Sequence, residues 1–185
     1  MTNSRSSVAG RVKPGRDGGG EGGVFTLRPT TPADIPTLHR LLRDFATYEK
    51  LQHRFQISEA ALHDALFAPN PPLSSILVDI DHTTIGFALW YFLFGTFSGR
   101  YGLFVEDIYV DQVHRGHGIG LALFRHMARI AVERQCAVMT WHVLDWNKPA
   151  IGFYRHIGSK PVRGWIAEEL GGDALIALAQ GAGNG

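Results

Sequence analysis

A glycine-rich turn between a predicted strand and a predicted helix is the feature that most constrains this chain. Residues 101–110 are apolar enough for a strand, and regularly spaced apolar residues after Gly118 predict a helix. Gly116, Gly118 and Gly120 permit unusual backbone angles and let a ligand approach the main chain closely. The unpaired N–H groups of the first helical turn attract anions. The segment therefore predicts a loop that holds a pyrophosphate.

Two common nucleotide-binding motifs do not fit this loop. A nucleoside-triphosphate loop ends in Gly-Lys-Ser/Thr, whereas Gly120 is followed by Leu121 and Ala122. The dinucleotide fingerprint is Gly-x-Gly-x-x-Gly early in a βαβ unit, with an acidic residue about twenty positions later. Here the spacing is Gly-x-Gly-x-Gly past the middle of the chain, and Glu133 is a poor substitute for that acidic residue.

The pattern that remains, Arg-x-x-Gly-x-Gly over residues 115–120, resembles the acetyl-coenzyme A loop of the GNAT acetyltransferase superfamily. Residues 146–158 are similar to the Trp-Asn-x-Pro-x-Ile-x-Phe-Tyr-x-x-x-Gly stretch of diamine (spermidine/spermine) N-acetyltransferases, and the chain also resembles thialysine N-acetyltransferases. The likeness covers residues 24–178. Further matches follow in order at residues 27–30, 48–49, 87–92 and 106–107.

The element pattern predicts an α/β fold, and the resemblance implies a GNAT-like three-layer sandwich with a mixed central sheet. A strand, helix and strand over residues 101–143 predict a parallel βαβ crossover with the glycine loop at its mouth. Strands are predicted at residues 25–28, 75–81, 84–94, 101–110, 138–143 and 165–170. Helices are predicted at residues 32–45, 58–67, 118–134, 149–156 and from residue 173.

The composition limits the classes of partner and the cellular location that the protein is expected to have. Eighteen basic and seventeen acidic side chains leave a formal charge of +1, so no global field favours nucleic acid or a membrane surface. No apolar run approaches the length of a membrane span. Cys136 is the only cysteine among 185 residues, which excludes an internal disulfide and favours a cytoplasmic protein. Residues 1–23, rich in Gly, Ser and Arg, predict a flexible tail before one acetyltransferase domain at residues 24–185.

The resemblance implies that acetyl-coenzyme A is the acetyl donor and that the protein is a homodimer. The main chain near the end of the fourth strand would pair with the pantetheine arm, the glycine loop would hold the pyrophosphate, and the Trp-Asn-x-Pro segment would flank the cofactor. The implied cofactor-binding residues are Ile108, Tyr109, Val110, Arg115, Gly116, His117, Gly118, Ile119, Gly120, Leu121, Asn147, Lys148, Pro149 and Ala150.

Transfer of acetyl to an amine needs a route for the ammonium proton and an acid for the departing thiolate. Tyr154 is the candidate general acid, because phenols titrate near about 10 and are protonated at neutral pH. The alternative is an aromatic packing role beside Phe153. Glu106 is the candidate base, directly or through water, and only one of Glu106 and Asp107 is expected to face the amine because adjacent strand residues alternate.

An anionic, partly aromatic pocket is predicted for the acceptor. Tyr48 and Glu49, together with Glu106, suit an alkylammonium through charge pairing and cation–π contact. Trp141 and His142 are further candidates for substrate binding, with packing as their alternative role. Basic residues at positions 50 and 54 stand where the diamine acetyltransferases are more acidic, so thialysine, lysine-like amino acids or another small amine compete with long polycations.

Metal binding is rejected, because His114 and His117 straddle the glycine loop and no cysteine or acidic pair completes a zinc set. The prediction is therefore an acetyl-coenzyme A-dependent N-acetyltransferase of a small primary amine, acting without metal in a direct ternary complex. Two alternatives stay open at this stage. The chain could acetylate a protein or peptide amine, or it could be a non-catalytic regulator that binds acetyl-coenzyme A.

Overall fold

The computed structural model describes residues 25–181 of the chain. These residues form two compact units, residues 25–144 and residues 145–181. The predicted tail at residues 1–23 lies outside the described residues, and the single domain over residues 24–185 stays a prediction. No helix within residues 25–181 is both long and apolar enough to cross a membrane.

The first unit contains one five-stranded sheet and three helices. Strand order in the sheet follows chain order, with antiparallel pairing among the first four strands and parallel pairing of the fourth with the fifth. The mixed sheet and its parallel βαβ crossover are as predicted. The strands are β1 (Phe25–Pro29), β2 (Ser74–Ile80), β3 (Thr83–Gly95), β4 (Arg100–Val110) and β5 (Val138–Trp141), and the helices are α1 (Ile35–Tyr48), α2 (Glu59–Phe67) and α3 (Ile119–Glu133).

Helices cover both faces of the sheet. On the α1 face, α1 and α2 pack against Leu77, Phe87, Leu89 and Tyr109 in one core. On the opposite α3 face, the Phe124 ring of α3 meets the Trp141 ring with centroids 5.0 Å apart. Neighbours along a strand alternate between faces, which places these two sets of residues on opposite sides. The result is the predicted three-layer α/β sandwich.

Local signals in the first unit are mostly confirmed. Ser58 caps α2 by accepting a hydrogen bond from the Ala61 N–H. Asp81 and His82 form a two-residue hairpin turn between β2 and β3, with φ of 48° and 63°. Two details differ from what the apolar pattern indicates. The apolar α3 residues Leu121 and Ile130 are only partly buried, and β5 ends at Trp141, two residues earlier than predicted.

The second unit contains two helices, α4 (Lys148–His156) and α5 (Gly172–Ala179). The strand predicted at residues 165–170 is wrong, because this segment has no regular structure and all its residues are exposed. A strand is stabilised by pairing and by burying one face. Within residues 145–181 no strand is present to pair with it, and its adjacent Trp165 and Ile166 do not alternate with polar residues.

Candidate active site

After β4 the chain forms a 3-10 turn (Gln112–His114), and the glycine loop then connects this turn to α3. Gly116 and Gly118 have φ of 83° and 78°, in the left-handed region that other residues enter only at a cost. A Cβ atom added to either glycine would meet no heavy atom within 4 Å, so space beside the main chain is open. Gly118 is the N-cap of α3, whose first-turn N–H groups belong to Ile119, Gly120 and Leu121. The loop therefore has the geometry that anion binding requires.

The Arg115 side chain turns towards the end of α1. Its Nε donates a hydrogen bond to the Val110 carbonyl oxygen at 2.9 Å. Its guanidinium carbon lies 4.1 Å from the centre of the Tyr48 ring and 5.6 Å from that of Tyr109. Cation–π contacts of this kind favour a fixed arrangement of the groups. Arg115 thereby connects the predicted acceptor residue Tyr48 to the predicted cofactor loop.

A β-bulge interrupts the pairing of β3 with β4 at Glu106. Leu89 pairs with Asp107, and Trp90 pairs with Val105, so Glu106 is the extra residue. Because Leu89 belongs to the α1 core, its partner Asp107 also lies on the α1 face. Glu106 is exposed and Asp107 is partly buried. The bulge therefore places both carboxylates beside the same face, which simple alternation along a strand would not do.

Three carboxyl groups influence one another at this position. Burial, together with the negative charges of Glu106 and Glu49, raises the pKa of Asp107 to about 7. Burial also raises the pKa of Glu49, which follows the last residue of α1. The structure thus brings together the predicted residues Glu49 and Glu106. It adds Asp107, a carboxyl that can exchange a proton near neutral pH.

Within residues 25–144, the end of β4 has one edge without a neighbouring strand. Pairing of β5 with β4 covers only Gly102 to Val105, whereas β3 pairs with β4 as far as Val110. Within residues 25–144, no strand pairs with residues 106–110 on the β5 side. A bound extended chain can hydrogen-bond to such an edge. The predicted pantetheine-binding residues Ile108, Tyr109 and Val110 lie in this stretch.

The remaining substrate candidates lie on opposite faces. The Trp141 ring packs on Phe124 on the α3 face. Trp141 therefore has the packing role that was given as the alternative to substrate binding. The exposed His142 follows Trp141, and its ring centre lies 5.1 Å from that of Phe104. Phe104 pairs with Tyr91 on the α1 face. The structure therefore groups His142, and not Trp141, with the face that carries Asp107.

His117 is exposed and His114 is partly buried, and His117 Nδ1 lies 3.3 Å from the His114 carbonyl oxygen. Among residues 25–181, no three His, Cys, Asp or Glu side chains are arranged to hold a metal ion. His117 stays a predicted cofactor contact through its place in the loop.

In the second unit, the Asn147 side chain caps α4 by accepting a hydrogen bond from the Ala150 N–H at 3.3 Å. Pro149 occupies the first turn, where a missing N–H costs nothing. Lys148 Nζ donates to the Asp145 carbonyl oxygen at 2.7 Å. Tyr154 is buried on α4, with its ring centre 5.6 Å from that of Phe153. The Trp-Asn-x-Pro motif therefore fixes the start of the helix that carries Tyr154.

Asp107 is a candidate proton acceptor that the sequence alone does not distinguish from Glu106. The bulge depends on how two strands pair, and the alternation of residues along β4 gives no sign of it. The signal available in the sequence was the pair of adjacent acidic residues interrupting an apolar strand.

Comparison with known proteins gives the same family as the motifs. Residues 35–158, which span parts of both units, match the model of the acetyltransferase (GNAT) family. The chain is similar to a thialysine N-epsilon-acetyltransferase of Mus musculus, with 32% identity over 83% of this chain and 96% of that protein. It is also similar to a spermidine/spermine N(1)-acetyltransferase-like protein of Homo sapiens, with 27% identity over 84% of this chain and 24% of that protein.

Among solved structures, an integron cassette protein from the mobile metagenome of V. cholerae has a similar fold. The TM-score is 0.71 and the identity 24%, over 84% of this chain and 98% of that one. This likeness concerns the fold alone. The family match and the relative at 32% identity confirm the resemblance that the motifs indicate, and the chain belongs to the acetyltransferase (GNAT) family.

Proposed function

We propose that this N-acetyltransferase moves the acetyl group of acetyl-coenzyme A directly to the primary amine of a small molecule, within one ternary complex. The observation that carries the proposal is the arrangement of residues 25–144. There the glycine loop, the free edge of β4 and three carboxyl groups converge near the end of α1. The names of two relatives, which contain thialysine and spermidine/spermine, support a small amine as the acceptor.

The residues present fit the cofactor. The open space beside Gly116 and Gly118 suits a pyrophosphate, because a Cβ atom there would fill it. The free edge of residues 106–110 suits the amides of a pantetheine arm. When bound, acetyl-coenzyme A supplies an acetyl group activated as a thioester. The remaining predicted contacts are proposed at Arg115, at residues 117 and 119–121, and at residues 147–150.

The acceptor ammonium is proposed to bind between Tyr48 and the carboxylates of Glu49, Glu106 and Asp107. Charge-assisted hydrogen bonds to carboxylates are stronger than neutral ones, and a tyrosine ring adds cation–π attraction. Arg115 stacks on Tyr48 and so fixes that ring beside the loop. His142 borders the same face, and Trp141 is proposed only as packing support.

Two proton transfers complete the proposal. A neutral amine is the nucleophile, so a carboxylate must accept the ammonium proton, directly or through water. Glu106 is the predicted base, and Asp107 is the partner whose pKa of about 7 suits the same task. Tyr154 is proposed to hold a proton at Oη and to give it to the departing thiolate.

The proposed function is tested by thiol release from acetyl-coenzyme A in the presence of putrescine, spermidine, thialysine, lysine, phenethylamine and a lysine-containing peptide. Turnover on a small amine supports the proposal. Turnover on the peptide alone would instead assign a protein acceptor. No thiol release with any of these amines, while calorimetry still shows binding of acetyl-coenzyme A, would assign a non-catalytic binder.

The pH dependence of turnover should follow the ionisation of the Asp107 carboxyl. Below pH 7 its carboxyl is mainly neutral and neither pairs with an ammonium nor accepts its proton, so we expect kcat/KM to rise through a midpoint near pH 7. Asp107→Asn should remove this rise. Glu49→Gln deletes one of the charges that raise the pKa of Asp107, and the midpoint should then move to lower pH. A midpoint that is unchanged in both variants would contradict the assignment.

Stability gives an independent measurement for the same residue. The pKa of Asp107 in the fold lies above its ordinary value of 3.8, so ionisation of this carboxyl destabilises the folded state. The cost grows as the pH rises from about 4 to about 7. Asp107→Asn should therefore melt at a higher temperature than the unchanged protein at pH 8, and the difference should shrink towards pH 4.

We also propose a homodimer, which the family resemblance implies. The second unit exposes several large apolar side chains, and exposed apolar patches favour association. Light scattering that gives the molar mass of one chain at micromolar concentration would contradict this. The exposed large apolar residues of this unit are Trp146, Val162, Trp165, Ile166, Leu170, Leu175, Ile176 and Leu178. The cytoplasmic location stays a prediction.

A further inference from the structure

A row of apolar and aromatic side chains continues the α1 face of the sheet beyond the α1 core. The Tyr91 and Phe104 rings pair across β3 and β4, with centres 5.0 Å apart and planes at 28°. The His142 ring stands at 76° to that of Phe104, 5.1 Å away. Leu93 and Val138 flank Gly102, where an added Cβ would lie 3.0 Å from Leu93 Cδ1 and 3.3 Å from Val138 Cγ1. We call Tyr91, Leu93, Phe104, Val138 and His142 the apolar shelf.

The shelf is acidic at one end. On the α1 face of β4, Asp107 lies between the α1 core and the shelf residue Phe104, because Asp107 pairs with Leu89 of that core. Burial and, after it, the negative charge of Glu106 raise the pKa of both Asp107 and Tyr91, so the Glu106 carboxylate lies near the shelf as well as near Asp107. At the other end, Leu93 and Val138 carry no charge. The charge pattern thus favours a ligand with one cationic end.

The ring arrangement also disfavours a second cation. A cation is attracted to the face of an aromatic ring and not to its edge. One face of Phe104 is stacked on Tyr91, and His142 packs against the same ring at a steep angle. Apolar or aromatic groups pack favourably against such a surface, because they add contact area without losing hydration of a charge.

We infer that the acceptor is an arylalkylamine, with its single ammonium at Glu49, Glu106 and Asp107 and its ring on the apolar shelf. The inference rests on the proposed function and narrows its substrate class. A polyamine bound in the same direction would place an ammonium over the shelf, where Leu93 and Val138 carry no charge. The basic residues that follow Glu49, Lys50 and Arg54, add no favourable charge for a polycation.

The first experiment compares kcat/KM of the full chain for phenethylamine, putrescine and propylamine in the thiol-release assay. We expect phenethylamine to exceed putrescine by about tenfold or more, which corresponds to about 1.4 kcal/mol. Equal values, or a preference for putrescine, would overturn the inference and leave the proposed N-acetyltransferase function intact.

The second experiment uses variants of the shelf. Tyr91→Leu and Phe104→Leu keep an apolar side chain but remove a ring. We expect KM for phenethylamine to rise about tenfold, with kcat for phenethylamine and KM for propylamine changing less than about threefold. Tyr101→Leu is the matched control, because Tyr101 pairs with Phe94 on the opposite face of the same two strands. An effect of the control equal to that of Tyr91→Leu would overturn the inference.

Calorimetric titration of phenethylamine into the protein with coenzyme A separates the two proposals. If no amine is turned over, the proposed function fails. The affinity for phenethylamine then still shows whether the apolar shelf binds an aromatic ring. Binding that weakens in Tyr91→Leu supports the inference, and absence of binding overturns it. A change of oligomeric state in Tyr91→Leu, with unchanged affinity, would assign the shelf to contact with a second copy and also overturn it.

Discussion

Replacing Tyr154 with phenylalanine should lower kcat by about 100-fold or more, while the Kd for acetyl-coenzyme A changes less than about threefold. The substitution removes only Oη. The ring stays buried on α4 and keeps its neighbour Phe153. The helix start is also unaffected, because Asn147 and Pro149 determine it. A loss of turnover without a loss of affinity therefore reports proton donation by the phenol.

The matched control is Tyr101→Phe, which removes a phenol oxygen from an exposed tyrosine of β4. It should leave both kcat and the Kd unchanged. Circular dichroism of Tyr154→Phe should match that of the unchanged protein, since the ring and the start of α4 are kept. If Tyr154→Phe turns over at the original rate, Tyr154 has a packing role and another group donates the proton.

Much of the fold follows from local signals in the sequence. The apolar stripe of α1, at Ile35, Leu38, Leu41 and Leu42, is buried as its helical spacing predicts. The strands predicted at residues 75–81 and 84–94 are present as β2 and β3, and the two-residue turn at Asp81 and His82 joins them. The glycine loop was predicted because its requirements are local: a backbone conformation and a helix start lie within a few residues of each other.

The remaining features depend on contacts between distant residues. The bulge at Glu106 arises from the pairing of β3 with β4, and this pairing brings Asp107 to the α1 face. The turn of Arg115 towards Tyr48 joins residues 67 positions apart in the chain. The strand predicted at residues 165–170 shows the opposite error, because apolar residues suggested pairing where the described unit offers none. Local propensity cannot supply a partner.

The left-handed backbone of the loop allows an equally strong test of cofactor binding. Gly118→Val should raise the Kd for coenzyme A by about 100-fold or more in calorimetry. The branched side chain opposes a φ of 78°, and its Cβ would enter the open space in which we propose that the pyrophosphate binds. Gly118→Asn separates these two causes, because asparagine tolerates the left-handed conformation but still places a side chain in that space.

Gly99 provides the matched control for both substitutions. It lies in the turn between β3 and β4, has a φ of 63°, and has no heavy atom within 4 Å of an added Cβ. Gly99→Asn therefore imposes the same backbone demand away from the loop, and it should leave the Kd unchanged. If Gly118→Asn binds coenzyme A normally, the pyrophosphate does not approach Gly118 and the loop assignment is wrong. If Gly118→Asn loses affinity and Gly99→Asn does not, the loss arises within the loop and not from a general loss of stability, because the same substitution at a left-handed glycine elsewhere has no effect.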